Sequence, residues 1–221
     1  MYKHFFKRFF DIIVSLIALP FVLIAIAIMA PFIYFEDRGP IFYNAYRRGK
    51  NGKNFKMYKL RSMYVNSADI KNADGSTFNS AKDPRVTKIG RIMRKTSIDE
   101  LPQILNVLKG DMSFVGPRPS LPNVPYDELP ELSKKRLNVR PGITGYVQAY
   151  YRNSIGQDEK IRLACYYVDN VSFKMDAKII LHTIGSVLRR KNIYASTQEK
   201  PAEVSAAEAK VEETKDTAQI K

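Results

Sequence analysis

Two adjacent carboxylates, Asp99 and Glu100, lie in the most informative stretch of the chain, residues 96–103, which precedes an apolar helical segment. Acidic side chains are favoured at the positive end of a helix, and Ser97 followed by Glu100 matches a capping box. Capping alone is one interpretation of the pair. Pro102 favours a helix that begins nearer Asp99, because proline is tolerated within the first helical turn.

Basic residues in rigid frames surround this pair along the sequence. Arg118 stands between two prolines, and Arg140 precedes Pro141 and Gly142. A guanidinium on a preset backbone can bind phosphate oxygens in a two-pronged manner. Together with the carboxylates, these arginines indicate phosphoryl chemistry with a divalent metal. One carboxylate would act as nucleophile while Mg²⁺ and the arginines balance the charge of a diphosphate.

The elements that position these residues are predicted to form one α+β domain, predominantly helical, over residues 38–194. Asn51-Gly52 between two short alternating segments, 41–43 and 55–60, predicts a β-hairpin. Helical patterning is found in residues 104–108, 158–168 and 175–190. The last of these is basic and amphipathic, which fits either a core-packed helix or a helix lying on an anionic membrane surface.

Composition restricts the partners and the metal chemistry. The chain has 36 Lys and Arg against 22 Asp and Glu, a net charge of +14, so its partners are expected to be anionic. A single cysteine, Cys165, excludes an internal disulfide, and two distant histidines make a histidine-based metal site improbable. Residues 195–221 contain no aromatic side chain and are predicted to form a disordered tail.

A long apolar run from Ile12 to Phe35 carries no charge between Asp11 and Glu36. As a helix it would measure about 36 Å, enough to cross the hydrocarbon of a bilayer. Both flanks are basic, and basic flanks are typical of the cytoplasmic side. We therefore favour a re-entrant helix over a spanning anchor, so that residues 1–37 form a basic flank and a membrane helix. Pro20 or Pro31 would supply the bend.

The order and spacing of several motifs identify a resemblance to a known family, the monotopic phosphoglycosyl transferases, also called bacterial sugar transferases. The resemblance covers about residues 3–194. The motifs that carry it are Lys7-Arg8-Phe9-Phe10-Asp11, Tyr58-Lys59-Leu60-Arg61-Ser62-Met63, Asp83-Pro84-Arg85-Val86-Thr87, Ser97-Ile98-Asp99-Glu100-Leu101-Pro102-Gln103, Gly110-Asp111-Met112-Ser113, Gly116-Pro117-Arg118-Pro119 and Arg140-Pro141-Gly142-Ile143-Thr144-Gly145.

This resemblance implies a re-entrant membrane helix, amphipathic interfacial helices and a small catalytic domain on the cytoplasmic face of the bacterial inner membrane. It implies that Asp99 attacks the β-phosphorus of a UDP-sugar and releases UMP. Polyprenyl (undecaprenyl) phosphate then accepts the phosphosugar, the priming step of surface glycan or exopolysaccharide assembly. Glu100 would serve as base or metal partner, with Mg²⁺ held by Asp99 and Glu100.

Five basic residues in the matching motifs are assigned to phosphate or substrate contacts: Lys59, Arg61, Arg94, Arg118 and Arg140. One departure concerns the membrane helix, where the family usually carries a Ser-Pro pair. This chain has Leu23-Ile24 at that place, and its prolines lie earlier and later. The departure leaves the position of the bend open.

Two alternatives remain at this stage. In the first, the lipid phosphate attacks the donor directly in a ternary complex. In the second, the chain is a non-catalytic, membrane-anchored protein that binds anions. No nucleic-acid partner is expected, because no RNA-binding signature accompanies the charge. The sequence allows a homo-oligomer and does not specify the sugar.

Overall fold

The structure is a computed structural model that describes residues 2–68, 70, 78, 80, 82–151 and 154–188. Over these residues the fold is predominantly helical with two small sheets, as the α+β prediction required. The predicted tail, 195–221, and part of the polar segment 69–81 lie outside the described residues. The elements are α1 (Lys7–Asp37), β1 (Ala45–Arg48), β2 (Asn54–Met57), α2 (Lys88–Thr96), α3 (Gln103–Lys109), β3 (Ser113–Val115), α4 (Glu131–Lys135), β4 (Gly142–Thr144), α5 (Tyr146–Tyr150), α6 (Gln157–Asp169) and α7 (Phe173–Leu188).

The hairpin predicted from Asn51-Gly52 is present. Strands β1 and β2 pair antiparallel, and both turn residues adopt positive φ, 54° for Asn51 and 78° for Gly52. Strand β1 begins at Ala45, later than predicted. The predicted first segment instead contacts the chain beyond β2 through a single bridge, Phe42 to Leu60. This bridge carries the hairpin's pairing onward to the segment that contains Lys59 and Arg61.

A short parallel pair, β3 and β4, joins the two glycine-containing motifs. Ser113 aligns with Gly142 and Val115 with Thr144. A Cβ on Gly116 would lie 2.3 Å from the Arg140 carbonyl oxygen, and one on Gly142 would lie 2.1 Å from the Gly116 nitrogen. The backbones of the Arg118 and Arg140 motifs therefore approach more closely than any side chain would allow.

The core consists of three apolar clusters. One combines Val115 with Tyr167 and Ile179 from the C-terminal helices. The second brings Ile33 of α1 against Leu60 and Met93, and the third contains Phe55, Val107 and Met112. Helices α3, α6 and α7 match the predicted segments to within a few residues, while α2, α4 and α5 were not predicted.

Helix α1 continues as a helix through both Pro20 and Pro31. Among the described residues it is the one helix long and apolar enough to cross a membrane by length and composition. Only 11% of its most apolar stretch is buried inside the protein, so it is not an ordinary core helix. Large apolar side chains such as Phe21 and Leu23 remain exposed, and an exposed apolar surface of this kind marks a membrane or protein interaction site.

The N-terminal end of α1 is fixed to the far end of α3. The Arg8 guanidinium donates to the carbonyl oxygens of Val107 and Leu108, which belong to the last turn of α3. Asp11 is buried and accepts hydrogen bonds from the Ser113 hydroxyl and the Phe114 backbone N–H, each at 3.1 Å. The Arg8 bonds supply donors to carbonyls in the last turn of α3, and the Asp11 bonds attach α1 to β3.

The C-terminal end of α1 is fixed to the same domain. Glu36 accepts from the backbone N–H groups of Lys88 and Ile89, the first residues of α2. Asp37 forms a two-pronged ion pair with Arg61, at 2.5 Å from Nη1 and 2.6 Å from Nη2. Both ends of the apolar helix are therefore attached to one domain through charged side chains.

Replacing Asp37 with Asn tests the attachment of the C-terminal end. The Arg61 cation would remain buried with its charge unpaired, so we expect the free energy of unfolding to fall by about 3 kcal/mol. The measurement is chemical denaturation of the detergent-solubilised chain. Asp169→Asn is the matched control, because its pair with Lys135 has a similar distance, 2.7 Å, but is exposed. That control should lose less than about 1 kcal/mol, and equal losses would contradict a structural role for the Asp37 pair.

Candidate active site

The carboxylate pair lies in a tight turn between two helices. Helix α2 ends at Thr96, its C-cap residue Ser97 has a left-handed φ of 58°, and a single 3-10 turn, Ile98–Glu100, follows. The α-helical hydrogen bonding of α3 begins only at Gln103, with Pro102 as its N-cap. Ser97 makes no side-chain cap bond, so the capping-box interpretation is wrong, and the α-helix begins later than Asp99. The turn presents Asp99 and Glu100 ahead of α3 instead of inside it.

Lys59 joins the two carboxylates. Its ammonium lies 2.7 Å from Asp99 Oδ2 and 3.7 Å from Glu100 Oε1. The backbone of the next residue, Leu60, donates to the Asp99 carbonyl oxygen at 3.0 Å. The backbone bond and the ion pair fix both the turn and the orientation of the Asp99 side chain.

The two carboxylates differ in exposure. The Asp99 side chain is 3% exposed, whereas those of Glu100 and Lys59 are 28% and 22% exposed. The Lys59 ammonium orients the buried Asp99 carboxylate, and a carboxylate can act as a nucleophile. Asp99 is therefore the buried carboxylate that Lys59 fixes in place, and Glu100 is the carboxylate that remains accessible to solvent or a ligand.

Arg94 lies beside the segment that carries Lys59. It belongs to the last turn of α2, and its Nε donates to the Ser62 hydroxyl at 3.1 Å. Close packing brings these elements together, because a Cβ on Gly90 would lie 2.0 Å from the Ser62 carbonyl oxygen. Arg94 therefore lies beside the segment that supports the dyad, and its assignment to a phosphate or substrate contact stays a prediction.

The Asp83-Pro84-Arg85 motif forms an internal ion pair. Arg85 Nη2 lies 2.8 Å from Asp83 Oδ2, and both side chains are buried. Burial alone would raise the pKa of Asp83, but hydrogen bonds and charge from Arg85, with a further contribution from Arg94, lower it. The motif therefore stabilises the loop that leads into α2, and it places the Asp83 carboxylate near Arg94.

Arg61 does not face a ligand site. Its guanidinium donates to Asp37 and to the carbonyl oxygens of Ile33, Pro40 and Met63. With only 6% of its side chain exposed, it serves as a positioning residue between α1 and the dyad segment. The assignment of Arg61 to a phosphate contact has no support in this geometry.

Arg118 is exposed at the end of the short turn that follows β3. Burial, together with the nearby charge of Arg118, lowers the pKa of Arg47 on β1, so the two cations are neighbours. The sequence pattern drew no attention to Arg47, which there belongs only to a general basic flank. We take Arg47, together with Arg118, as a candidate contact for the phosphates of a diphosphate.

Arg140 is separated from the dyad by α3. Its Nε donates to the Gly110 carbonyl oxygen at 2.8 Å, at the C-terminal end of α3. Asp99 precedes the N-terminal end of the same helix. From Pro102 to Gly110 the distance along the helix axis is about 12 Å. The structure thus brings Lys59, Glu100 and Asp99 together, but it does not bring Arg140 to them.

Asn106 is a structural residue that sequence reasoning missed. It is fully buried, accepts from the Tyr58 N–H at 2.9 Å and donates to the Lys56 carbonyl at 2.8 Å. These bonds attach α3 to the strand that leads to Lys59. The only sequence signal was one amide in the middle of an otherwise apolar helix.

The dyad fits the ligands that Mg²⁺ prefers. Magnesium commonly binds through one or two carboxylates and completes its coordination with water and substrate phosphates. Asp99 and Glu100 supply hard oxygen donors of this kind, and the described residues contain no group of three or more acidic, His or Cys side chains. Lys59 contacts one oxygen of each carboxylate, and Glu100, 28% exposed, is the more accessible donor for a metal than Asp99, 3% exposed.

Comparison with known proteins identifies the family. The profile described as bacterial sugar transferase matches residues 2–190. The chain is 44% identical to the galactosyl transferase CpsE of Streptococcus agalactiae serotype III over 197 residues, covering 85% of this chain and 43% of that protein. It is 40% identical to the uncharacterized sugar transferase EpsL of Bacillus subtilis, covering 85% of this chain and 89% of that protein.

A third relative is the undecaprenyl-phosphate galactose phosphotransferase of Salmonella typhimurium, 40% identical over 208 residues, covering 87% of this chain and 42% of that protein. The chain thus spans less than half the length of the Streptococcus and Salmonella relatives and most of the Bacillus one. The motif resemblance is confirmed by the match over nearly the whole chain: this protein belongs to the bacterial sugar transferase family.

Proposed function

We propose that this protein transfers a sugar-1-phosphate from a UDP-sugar to polyprenyl phosphate, with Asp99 as the covalent nucleophile. One observation carries the proposal: the buried Asp99 carboxylate is held by Lys59, two residues from the Arg61 that grips the end of the apolar helix. This arrangement supports phosphoryl chemistry close to the membrane surface, where the phosphate of a lipid acceptor lies. The name of the Salmonella relative, an undecaprenyl-phosphate phosphotransferase, supports the same acceptor.

In the first step, an Asp99 carboxylate oxygen attacks the β-phosphorus of the donor. The bond between that phosphorus and the bridging oxygen breaks, and its electron pair leaves with UMP. The product is an acyl phosphate that joins Asp99 to the phosphosugar. Lys59 holds Asp99 in line and offsets charge as it develops on the diphosphate, while Arg47 and Arg118 bind phosphate oxygens farther along the donor.

Glu100 is suited to binding the metal. When bound, Mg²⁺ would neutralise the diphosphate and stabilise the leaving phosphate. Glu100 is the more exposed carboxylate of the pair, so it can contact a metal that also reaches the donor. The first step needs no proton transfer when Asp99 attacks as a carboxylate.

In the second step, a phosphate oxygen of the polyprenyl carrier attacks the acyl-phosphate phosphorus. The bond to Asp99 breaks, the free carboxylate is restored, and a polyprenyl diphosphate sugar leaves. Lys59 remains beside the departing carboxylate oxygen and stabilises its returning charge. The acceptor attacks through an oxygen that is already ionised, so this step also balances without a general base.

The contacts at both ends of α1 support a re-entrant arrangement. A straight helix from Asp11 to Asp37 would extend about 39 Å, more than the roughly 30 Å hydrocarbon core. A spanning helix would place the Asp11 and Asp37 contacts on opposite sides of the bilayer, although both are made to one domain by polar groups. A helix that bends and returns leaves both ends, and the domain, on the cytoplasmic face. Pro20 and Pro31 each remove a backbone donor where bending would occur.

Isotope exchange separates the covalent route from direct attack in a ternary complex. With UDP-galactose, Mg²⁺ and no lipid, we expect radiolabelled UMP to enter the UDP-sugar pool, because the first step is reversible without acceptor. Other UDP-sugars complete the donor panel. Asp99→Asn should lower the exchange rate by at least 10³-fold, in the range typical of removing a nucleophile. Asp158→Asn is the control, an exposed acid in the first turn of α6.

Transfer to lipid without any acceptor-independent exchange would support the ternary route. Failure of transfer with every donor, from protein whose folding is shown by its unfolding transition, would contradict the proposed function itself.

Cysteine labelling tests the membrane arrangement. In a Cys165→Ala background, Lys3→Cys and Lys53→Cys place one thiol on each side of α1 in sequence. Re-entrance predicts that a membrane-impermeant maleimide labels both from the cytoplasmic side, in inside-out vesicles, and neither in intact spheroplasts. Labelling of the two thiols from opposite sides would establish a spanning helix and overturn this part of the proposal.

A further inference from the structure

A second basic site lies at the end of α3 remote from the dyad. An open pocket, about 450 Å³ including the solvent at its mouth, is bordered by Lys3, Lys7, Arg8, Lys50 and Arg140, and Asp11 is the only carboxylate among the described residues that line it. These residues come from the N-terminal flank, the β1–β2 turn and the segment before β4. The sequence therefore gives no sign that they meet.

The pocket has an excess of positive charge. Of its five cations, Lys7 is paired with Asp176 at 2.5 Å, and Asp11 lies in the wall. Five cations against these two carboxylates leave an excess of three positive charges. Arg8 and Arg140 donate to carbonyl oxygens at the end of α3, which orients them without neutralising their charge. Cations held in this way are suited to binding a phosphate group.

The surroundings of the pocket are those of a membrane interface. Exposed aromatic side chains lie on the adjoining flank and on α7, and the rings of Phe10 and Phe173 are 5.8 Å apart. The exposed aromatic residues are Phe5, Phe6, Phe9, Phe10 and Phe173. Aromatic and basic residues side by side are typical of the headgroup level of a bilayer. An anion that reaches this pocket is thus most readily supplied by a lipid.

We propose that this pocket binds the phosphate of an anionic phospholipid headgroup and thereby holds the N-terminal end of α1 at the membrane surface. The acceptor of the transfer reaction is a poorer occupant, because its phosphate must reach Asp99, beyond the opposite end of α3. A bound headgroup would bridge the N-terminal flank, through Lys3, to the catalytic domain, through Lys50 and Arg140. This inference concerns lipid binding and does not depend on the transfer reaction.

Lipid binding to the full chain in neutral detergent tests the pocket. We expect dihexanoyl phosphatidylglycerol to bind at least tenfold more tightly than dihexanoyl phosphatidylcholine, measured by calorimetric titration at 0.15 M salt. The double variant Lys3→Gln with Lys50→Gln should lower the affinity for phosphatidylglycerol by roughly fivefold per lysine. Its unfolding midpoint is measured alongside. The control is Lys53→Gln with Lys56→Gln, which removes the same charge from exposed positions on the same hairpin outside the pocket. It should change affinity less than twofold.

Three outcomes would overturn the proposal. An equal loss of phosphatidylglycerol affinity in the two double variants would mean that the lipid is attracted to the basic surface as a whole and not to the pocket. Displacement of phosphatidylglycerol by an equal concentration of inorganic phosphate would mean that the pocket is a site for soluble anions. In the third outcome, a short polyprenyl phosphate binds more tightly than phosphatidylglycerol and loses affinity in the Lys3 and Lys50 double variant. That result would identify the pocket as an acceptor site. Because no donor is present, each result is independent of whether transfer occurs.

Discussion

Three consecutive residues, Lys59, Leu60 and Arg61, join the carboxylate pair to the apolar helix, and the proposed chemistry depends on this connection. Lys59 binds Asp99, the Leu60 backbone binds the Asp99 carbonyl, and Arg61 grips Asp37 at the end of α1. The Leu60 side chain is fully buried against Ile33 and Met93. A displacement of α1 would therefore be transmitted to Asp99 through two ion pairs and one packed side chain. Positions set in this way matter, because a shift of about 1 Å in a reacting group lowers rates severely.

Helix α3 is the second organising element. Its first turn follows the dyad, and its last turn receives Arg8 and Arg140. The buried amide of Asn106 attaches its middle to the chain just before Lys59. A seven-residue helix would not be stable alone, so these side-chain bonds hold it in place. The same helix separates the two basic sites, one for the reaction and one that we assign to a membrane lipid.

Much of the site was predictable because its signals are local. Asn51-Gly52 specifies a hairpin by its own conformational preferences. Asp99 and Glu100 are adjacent in sequence, so the pair can be recognised without knowledge of the fold. The glycines of the Arg118 and Arg140 motifs were predicted to belong to rigid backbone segments. In the structure, glycine is needed at these positions because the two backbones approach closely. What could not be predicted depends on distant pairing. Arg61 was assigned to a phosphate or substrate contact from its motif, and its ion pair with Asp37 could not be predicted, because the two residues lie 24 positions apart.

Arg140 was assigned to phosphate or substrate contacts, and its distance from the dyad could not be predicted, since order along a chain does not show which end of α3 an arginine meets. The three-residue strands β3 and β4 are too short for any periodic pattern to reveal.

The most direct test of the central claim is mass spectrometry of the protein after incubation with a UDP-sugar and Mg²⁺ without lipid. The account requires a phosphosugar adduct on the peptide that contains Asp99, lost when polyprenyl phosphate is added and absent from Asp99→Asn. An adduct on Glu100 or elsewhere, or none while transfer to lipid proceeds, would contradict the assignment of Asp99 as nucleophile.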